Sequence, residues 1–174
     1  MTKHATRNDI DLLIQSTTVE LFHAYGVAVA PTRRNSMPPP PIDADCTGTI
    51  SFAAPRFTGN LTLTVPVDVL KLMQHAPGSS PALKDWVREL TNQLLGRLKN
   101  RLLRFQVVLQ VGLPTNARGR AGLSSAESTT RQSVYVFRTL RGRIFVAVSG
   151  NLDPSALQFS GSLNLAGEGD VILF

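Results

Sequence analysis

Two polar side chains, Glu89 and Asn92, could do chemistry together on the longest helix that the sequence predicts. This helix runs from about Ala82 to Arg104. At about 100° per residue, Glu89, Asn92 and Gly96 fall within about 60° of one another, almost opposite the apolar face. The apolar arc comprises Leu83, Trp86, Val87, Leu90, Leu94, Leu98 and Leu102. A carboxylate that accepts hydrogen bonds and a neutral carboxamide that donates and accepts them therefore share one outward ridge.

The glycine on this ridge is unusual for a helix interior. Glycine in a helix interior makes helix formation less favourable by about 1 kcal/mol relative to alanine. Gly96 faces away from the core, so it does not serve close packing inside the domain. An outward glycine indicates close approach by another molecule. The spacing alone also allows a solvated helix face with a tolerated glycine. Lys99 and Asn100 extend the same face, either as contact residues or as solvated side chains.

Other arrangements of reactive residues are weak in this sequence. His4, His23 and His75 lie in different segments without the spacing of metal ligands, so no metal site is predicted. The alternation of glycine and arginine over residues 117–122 lacks the Lys-Ser/Thr pair of a phosphate-binding loop. Ser124-Ser125 has no nucleophile-elbow setting. The plainer interpretation of residues 115–132 is a flexible polar loop.

The remaining elements predict an α+β fold with an antiparallel β-sheet packed with long helices. In chain order they are a helix from Asn8-Asp9 to about Tyr25, strands Thr47–Phe52 and Asn60–Val65, a short helix from Pro66 to about His75, a strand Gln106–Leu113, strands Ser133–Thr139 and Arg143–Ser149, and strand-like pieces at Ala156–Phe159 and Val171–Phe174. Alternation in the first strand pair predicts a hairpin with one buried face. The pair near the end is apolar on both faces, as expected of strands covered by helices or by a second subunit.

The composition fits one globular domain spanning residues 1–174, since the chain is 43% apolar. No stretch approaches the roughly 20 apolar residues that would cross a bilayer. The first residues are polar and show no signal peptide. Cys46 is the only cysteine, which excludes an internal disulfide. A cytoplasmic location is expected.

The net charge of +6, carried mostly by arginine, permits binding to nucleic acid or to an acidic protein surface. The arginines are scattered, and aromatic residues are only 6% of the chain, so a basic stacking platform is not evident. Nucleic-acid binding is therefore the weaker hypothesis, and a shallow salt dependence of such binding would remove it.

The segment Glu89-Leu-Thr-Asn92-Gln-Leu-Leu-Gly96 resembles the E-x-x-N signature of the CheC/CheX/FliY chemotaxis phosphatases. It is most similar to CheX, which has one such helix where CheC typically has two. The paired strands of residues 47–66 and the strand of residues 106–114 resemble the family's strands before and after this helix. The resemblance covers about residues 8–150 and leaves 151–174 as a C-terminal extension. Glu20-Leu-Phe-His23 occupies the place of a second motif, but histidine replaces the amide, which favours a non-catalytic surface pair.

The resemblance implies a phosphatase acting on the phospho-aspartate of a response-regulator receiver domain. Asn92 would orient the attacking water, and Glu89 would pair with the receiver's lysine. Gly96 would let the partner's backbone approach, with Lys99 and Asn100 as further contact residues. The protein would need no cofactor of its own, because the receiver holds the Mg²⁺. The family resemblance and the apolar strands near the end also predict a homodimer.

An alternative within the same resemblance is a non-catalytic CheX-like module that binds or dimerises in two-component signalling. It predicts receiver binding that survives the loss of Asn92 and no change in the lifetime of the phosphoryl group.

Overall fold

The computed structural model describes residues 7–32, 45–55, 57–112 and 132–152. The helices of this part of the chain are α1 (Arg7–Ala24), α2 (Val67–Leu70) and α3 (Ser80–Leu102), the last followed by a 3-10 turn at Leu103–Phe105. The strands are β1 (Ala30–Pro31), β2 (Asp45–Ala54), β3 (Phe57–Pro66), β4 (Gln110–Val111), β5 (Gln132–Thr139) and β6 (Gly142–Leu152). None of the helices described is both long and apolar enough to cross a membrane.

The strands form a six-stranded sheet in the order β1-β5-β6-β3-β2-β4, with every described pair antiparallel. Two hairpins build its centre. β2 and β3 pair along their whole length, and β5 and β6 pair across the tight turn at Leu140-Arg141. The predicted α+β fold and the predicted first hairpin are confirmed, and the second predicted strand pair also forms a hairpin. Three of the four strands extend two or more residues beyond a predicted end.

One face of the sheet packs against α3 and α1, and period-two alternation in the strands selects that face. The side chains of β2 and β3 on this face are buried: Cys46, Ile50, Phe52, Leu61, Leu63 and Val65. Their neighbours point to the opposite face, where Thr47 faces Thr64 at 3.2 Å and Thr49 faces Thr62 at 3.0 Å between hydroxyl oxygens. The core of the described domain therefore lies between the sheet and the two long helices.

Two predicted elements are shorter than expected. α2 ends at Leu70 rather than near His75, because the next amides bond three residues back, Leu72 to Val69 and Met73 to Leu70. His75 itself adopts a left-handed φ of 64°. Met73 stays buried without being helical. The strand predicted over Gln106–Leu113 pairs with β2 only at Gln110–Val111. Gln106 has a φ of 59°, so the chain bends away from α3 before it can join the sheet.

One strand was not predicted at all. β1 pairs with β5 at Ala30↔Arg138 and Pro31↔Phe137. Its proline marks an edge position, since proline cannot donate to a second neighbour. The polar loop predicted at 115–132 lies outside the described residues apart from Gln132, which begins β5. The strand-like pieces at 156–159 and 171–174 and most of the C-terminal extension also lie outside them.

Candidate functional site

The helix α3 carries the candidate site, and its sequence defines both its start and its inner face. Ser79 is extended at the N-cap, Pro81 occupies the first turn, and the Leu83 amide donates to the Ser79 carbonyl at 3.0 Å. The buried residues of the helix are Leu83, Val87, Leu90, Thr91, Leu94, Leu95, Leu98 and Leu102. The predicted leucine arc is therefore the core face, with Thr91 and Leu95 added and Trp86 only partly buried.

The helix lies unusually close to the sheet at one point. A Cβ atom on Gly48 of β2 would lie 2.4 Å from the Thr91 hydroxyl oxygen and 3.0 Å from the Val87 carbonyl oxygen. The absence of a side chain at Gly48 is what allows this approach. The Thr91 hydroxyl is fully buried and donates to the Val87 carbonyl at 2.6 Å. Since Thr91 immediately precedes Asn92, this contact sets the height of the candidate site above the sheet.

The residues predicted to act lie on the solvent side of α3. Glu89 and Asn92 are exposed one helical turn apart, where such side chains are about 5–6 Å apart at Cβ. A Cβ placed on Gly96 would meet no atom within 4 Å, so the helix surface there is open. Farther along, Lys99 is half-buried and Asn100 is exposed. The structure therefore places all five predicted site residues on one helix.

One residue that sequence reasoning did not single out connects this ridge to the rest of the domain. The Gln93 amide nitrogen donates to the Glu89 carboxylate at 3.2 Å, and its amide oxygen accepts from the Tyr25 hydroxyl at 2.9 Å. The i,i+4 spacing of Glu89 and Gln93 could have indicated the first contact. Tyr25 lies 68 residues away in sequence, and no local pattern indicates the second.

Two arginines of α3 form ion pairs within the described part of the chain. Arg88 pairs with Asp85 one turn back along α3. Arg101 pairs with Glu20 of α1 and also donates to the Ser16 hydroxyl at 2.7 Å. Glu20, the acidic residue of the second motif-like segment, therefore joins the two helices. Within the described ranges, no lysine or arginine forms an ion pair with Glu89.

This arrangement can hold a cation and orient a small polar molecule. The Glu89 carboxylate is available to an ammonium group from outside, and the Asn92 carboxamide can donate and accept hydrogen bonds without adding charge. The flat helix surface at Gly96 leaves room for the backbone of a second molecule. Among the residues described, no group of three His, Cys, Asp or Glu side chains is placed to hold a metal ion.

The sequence matches no family model and no curated protein, but solved structures match it closely in fold. A CheC-like superfamily protein from Shewanella sp. PV-4 superposes with a TM-score of 0.69 at 18% identity, covering 83% of this chain and 98% of that one. CheX from Desulfovibrio desulfuricans superposes with a TM-score of 0.65 at 17% identity, covering 80% and 97%. The chain has the CheC/CheX fold.

A third structure with the CheC/CheX fold was solved with a partner. It is the CheX–CheY–BeF₃–Mg²⁺ complex from Borrelia burgdorferi, with a TM-score of 0.53 at 13% identity, covering 79% of this chain and 92% of that one. At these identities the similarity establishes the fold. The resemblance to this group, inferred from the motif and its flanking strands, is confirmed at that level.

Proposed function

We propose that this protein is a phosphatase that removes the phosphoryl group from the aspartate of a CheY-like receiver domain in the cytoplasm. The observation that carries the proposal is the α3 ridge. Glu89 and Asn92 are exposed one turn apart, and Gly96 leaves the next turn open. The helix beneath them is held against the sheet by its fully buried leucines, so the pair is presented on a rigid element.

Asn92 supplies the chemistry of hydrolysis. An aspartyl phosphate breaks down when a water attacks phosphorus in line with the scissile P–O bond, and catalysis consists mainly of positioning and charge compensation. The Asn92 carboxamide orients that water through a hydrogen bond. Because it is neutral, it does not repel the anionic phosphoryl oxygens as a carboxylate would. A glutamine has the comparable role in small GTPases.

Glu89 and the open turn at Gly96 provide docking. The Glu89 carboxylate pairs with the lysine of the receiver's phosphorylation site and sets the register of the helix in the pocket. Gly96 allows the receiver's backbone to approach, while Lys99 and Asn100 contact its rim. The receiver holds the Mg²⁺ that compensates the phosphoryl charge, so the proposal requires no metal of the phosphatase itself. The Borrelia complex, in which a CheX protein of this fold was solved with CheY, BeF₃ and Mg²⁺, supports a CheY-like receiver as the partner.

The experiment that tests the proposal follows the decay of a receiver loaded by a small phosphodonor. We expect wild-type protein to shorten the lifetime of the aspartyl phosphate and Glu89→Ala to lose most of that effect. Lys84→Ala is the matched control, because Lys84 is exposed on α3 but lies away from the ridge. A lifetime unchanged by wild-type protein, together with phosphorylation-dependent binding, would favour the non-catalytic module instead.

Gly96 gives a prediction in which stability and docking change in opposite directions. Gly96→Ala is expected to raise the free energy of unfolding by up to about 1 kcal/mol, because alanine favours helix and its Cβ meets no atom within 4 Å. The same methyl group lies where the receiver's backbone approaches, so affinity for the phosphorylated receiver is expected to fall. Urea denaturation and calorimetric titration measure the two effects. Unchanged affinity in the stabilised variant would remove Gly96 from the interface.

The proposal also includes a homodimer. β1 pairs with β5 at two positions and the Thr32 amide donates to the Val136 carbonyl, so within the part of the chain that is described, the outer edge of β5 has no neighbouring strand before Val136. Val134 and Val136 flank this edge, half-buried, on the sheet face opposite the helices. A second copy would cover both features. Light scattering should then give twice the chain mass of 18.9 kDa, and a monomer mass at micromolar concentration would contradict the dimer.

A further inference from the structure

A short chain of hydrogen bonds ends on the Glu89 carboxylate. The Tyr25 hydroxyl donates to the Gln93 amide oxygen at 2.9 Å, and the Gln93 amide nitrogen donates to Glu89 at 3.2 Å. The first bond is partly buried and the second is exposed. We call this set of three residues, Tyr25, Gln93 and Glu89, the relay.

The chemistry of the three groups fixes the direction of the relay. A carboxylate can only accept hydrogen bonds, so the Gln93 amide must turn its nitrogen toward Glu89. Its oxygen then faces Tyr25, and the Tyr25 hydroxyl must donate. The reversed amide would place its oxygen against the carboxylate oxygen, where two acceptors repel. Each group therefore has one orientation that satisfies both contacts.

Tyr25, at the far end of the relay, is firmly held. Its ring is half-buried and meets the Trp86 ring edge to face, with centroids 5.6 Å apart and an interplanar angle of 89°. Its amide donates to the Phe22 carbonyl at 3.0 Å, and its carbonyl accepts from the Gln74 amide at 2.9 Å. The relay therefore connects an exposed carboxylate to a fixed point at the end of α1.

We propose that Gln93, oriented by Tyr25, is a positioning residue that holds the Glu89 carboxylate ready for the receiver's lysine; this rests on the proposed function. A free glutamate samples several rotamers, and binding must then order it. Gln93 orders it beforehand. Being neutral, Gln93 does this without pairing with the Glu89 charge, whereas a lysine or arginine at position 93 would compete with the incoming ammonium group.

The test uses two variants that remove hydrogen bonds with little change in shape. Gln93→Met keeps the length of the side chain and loses both bonds of the relay. Tyr25→Phe loses only the hydroxyl and keeps the ring contact with Trp86. Gln110→Met, at an exposed glutamine of β4, is the matched control. Thermal unfolding of each variant verifies that the fold is retained.

With phosphorylated receiver as substrate, Gln93→Met and Tyr25→Phe are each expected to raise KM about three- to tenfold. The value of kcat should stay within about twofold of wild type, because Asn92 is unchanged. Ordering of the Glu89 side chain occurs on binding, so its loss affects KM rather than the chemical step. The double variant should be no worse than Gln93→Met, since both changes break one chain. In a Glu89→Gln background, Gln93→Met should have no further effect on KM. An unchanged KM in Gln93→Met, or effects that multiply in the double variant, would overturn the proposal.

A second readout does not depend on the receiver. Scalar couplings of the Glu89 side chain measure its rotamer populations in the free protein by NMR. One dominant rotamer is expected in wild type and averaging in Gln93→Met and Tyr25→Phe. If wild type has one rotamer but does not dephosphorylate the receiver, the proposed function fails and the ordering of Glu89 stands. If the Glu89 side chain of wild type already averages over several rotamers, the proposed role of the relay is wrong, whatever the phosphatase activity.

Discussion

Replacing Asn92 by alanine is expected to slow hydrolysis of the receiver's aspartyl phosphate on the order of 100-fold relative to wild type, as loss of a positioning group does. The side chain is exposed, so its truncation should change the free energy of unfolding by no more than about 0.5 kcal/mol. Docking should persist, because Glu89 and the open turn at Gly96 remain. The loss is therefore expected in the chemical step.

A single-turnover experiment separates these quantities. Phosphorylated receiver is mixed with excess variant, and the first-order decay is followed to saturation. Affinity is measured separately with a receiver carrying beryllium fluoride and Mg²⁺, which mimics the phosphoryl group without hydrolysis. Lys84→Ala should behave as wild type in both. If Asn92→Ala accelerates the decay of the aspartyl phosphate as much as wild-type protein does, the proposed role of Asn92 is wrong. If affinity and rate fall by equal factors, Asn92 acts in docking instead.

A methyl group on the sheet beneath the helix is expected to have the largest effect on stability. Gly48→Ala should lower the free energy of unfolding by about 2 kcal/mol, as overpacking of a dense core does. The new Cβ would lie 2.4 Å from the Thr91 hydroxyl oxygen, 3.0 Å from the Val87 carbonyl oxygen and 3.2 Å from the Arg88 Cα. The Thr91 hydroxyl has no free direction to move in, because it is fully buried and bonded to Val87.

The helix must therefore move away from the sheet in Gly48→Ala, and Asn92 moves with Thr91. For that reason, we expect the phosphatase activity of Gly48→Ala to fall by more than the loss of folded protein explains. Gly78→Ala is the control, since a Cβ there meets nothing within 4 Å. The double variant Gly48→Ala/Thr91→Ala removes the shortest contact and should recover part of the stability. Equal urea midpoints for Gly48→Ala and wild type would show that α3 does not rest on Gly48.

The parts of the fold that sequence predicted well are those with a local periodic signal. Alternation of threonine with leucine and valine in β3 predicted one buried face, and leucine spacing predicted which side of α3 is inside. The outward direction of Glu89 and Asn92 followed from the same spacing. The predicted end of α1 near Tyr25 is also confirmed, because the helix ends at Ala24 and Gly26 follows with a φ of 80° that glycine adopts without strain.

The parts that could not be predicted depend on contacts between distant segments. β1 is two residues long and exists only through its pairing with β5. Nothing near Gly48 indicates that Thr91 approaches it, and nothing near Gln93 indicates Tyr25. Gln106 lies in a run of apolar residues typical of a strand, yet its left-handed backbone shortens the strand to two residues. The roles of Glu89, Asn92, Gly96, Lys99 and Asn100 toward a partner remain predictions.

The most direct test of the central claim is turnover. Phosphorylated receiver is incubated with one-tenth its concentration of wild-type protein, and the inorganic phosphate released is measured beyond the receiver's own rate of decay. Each molecule of wild-type protein should release many phosphates, and Asn92→Ala should almost abolish this release. Phosphate release at the receiver's intrinsic rate, with wild type bound to the phosphorylated receiver, would contradict it.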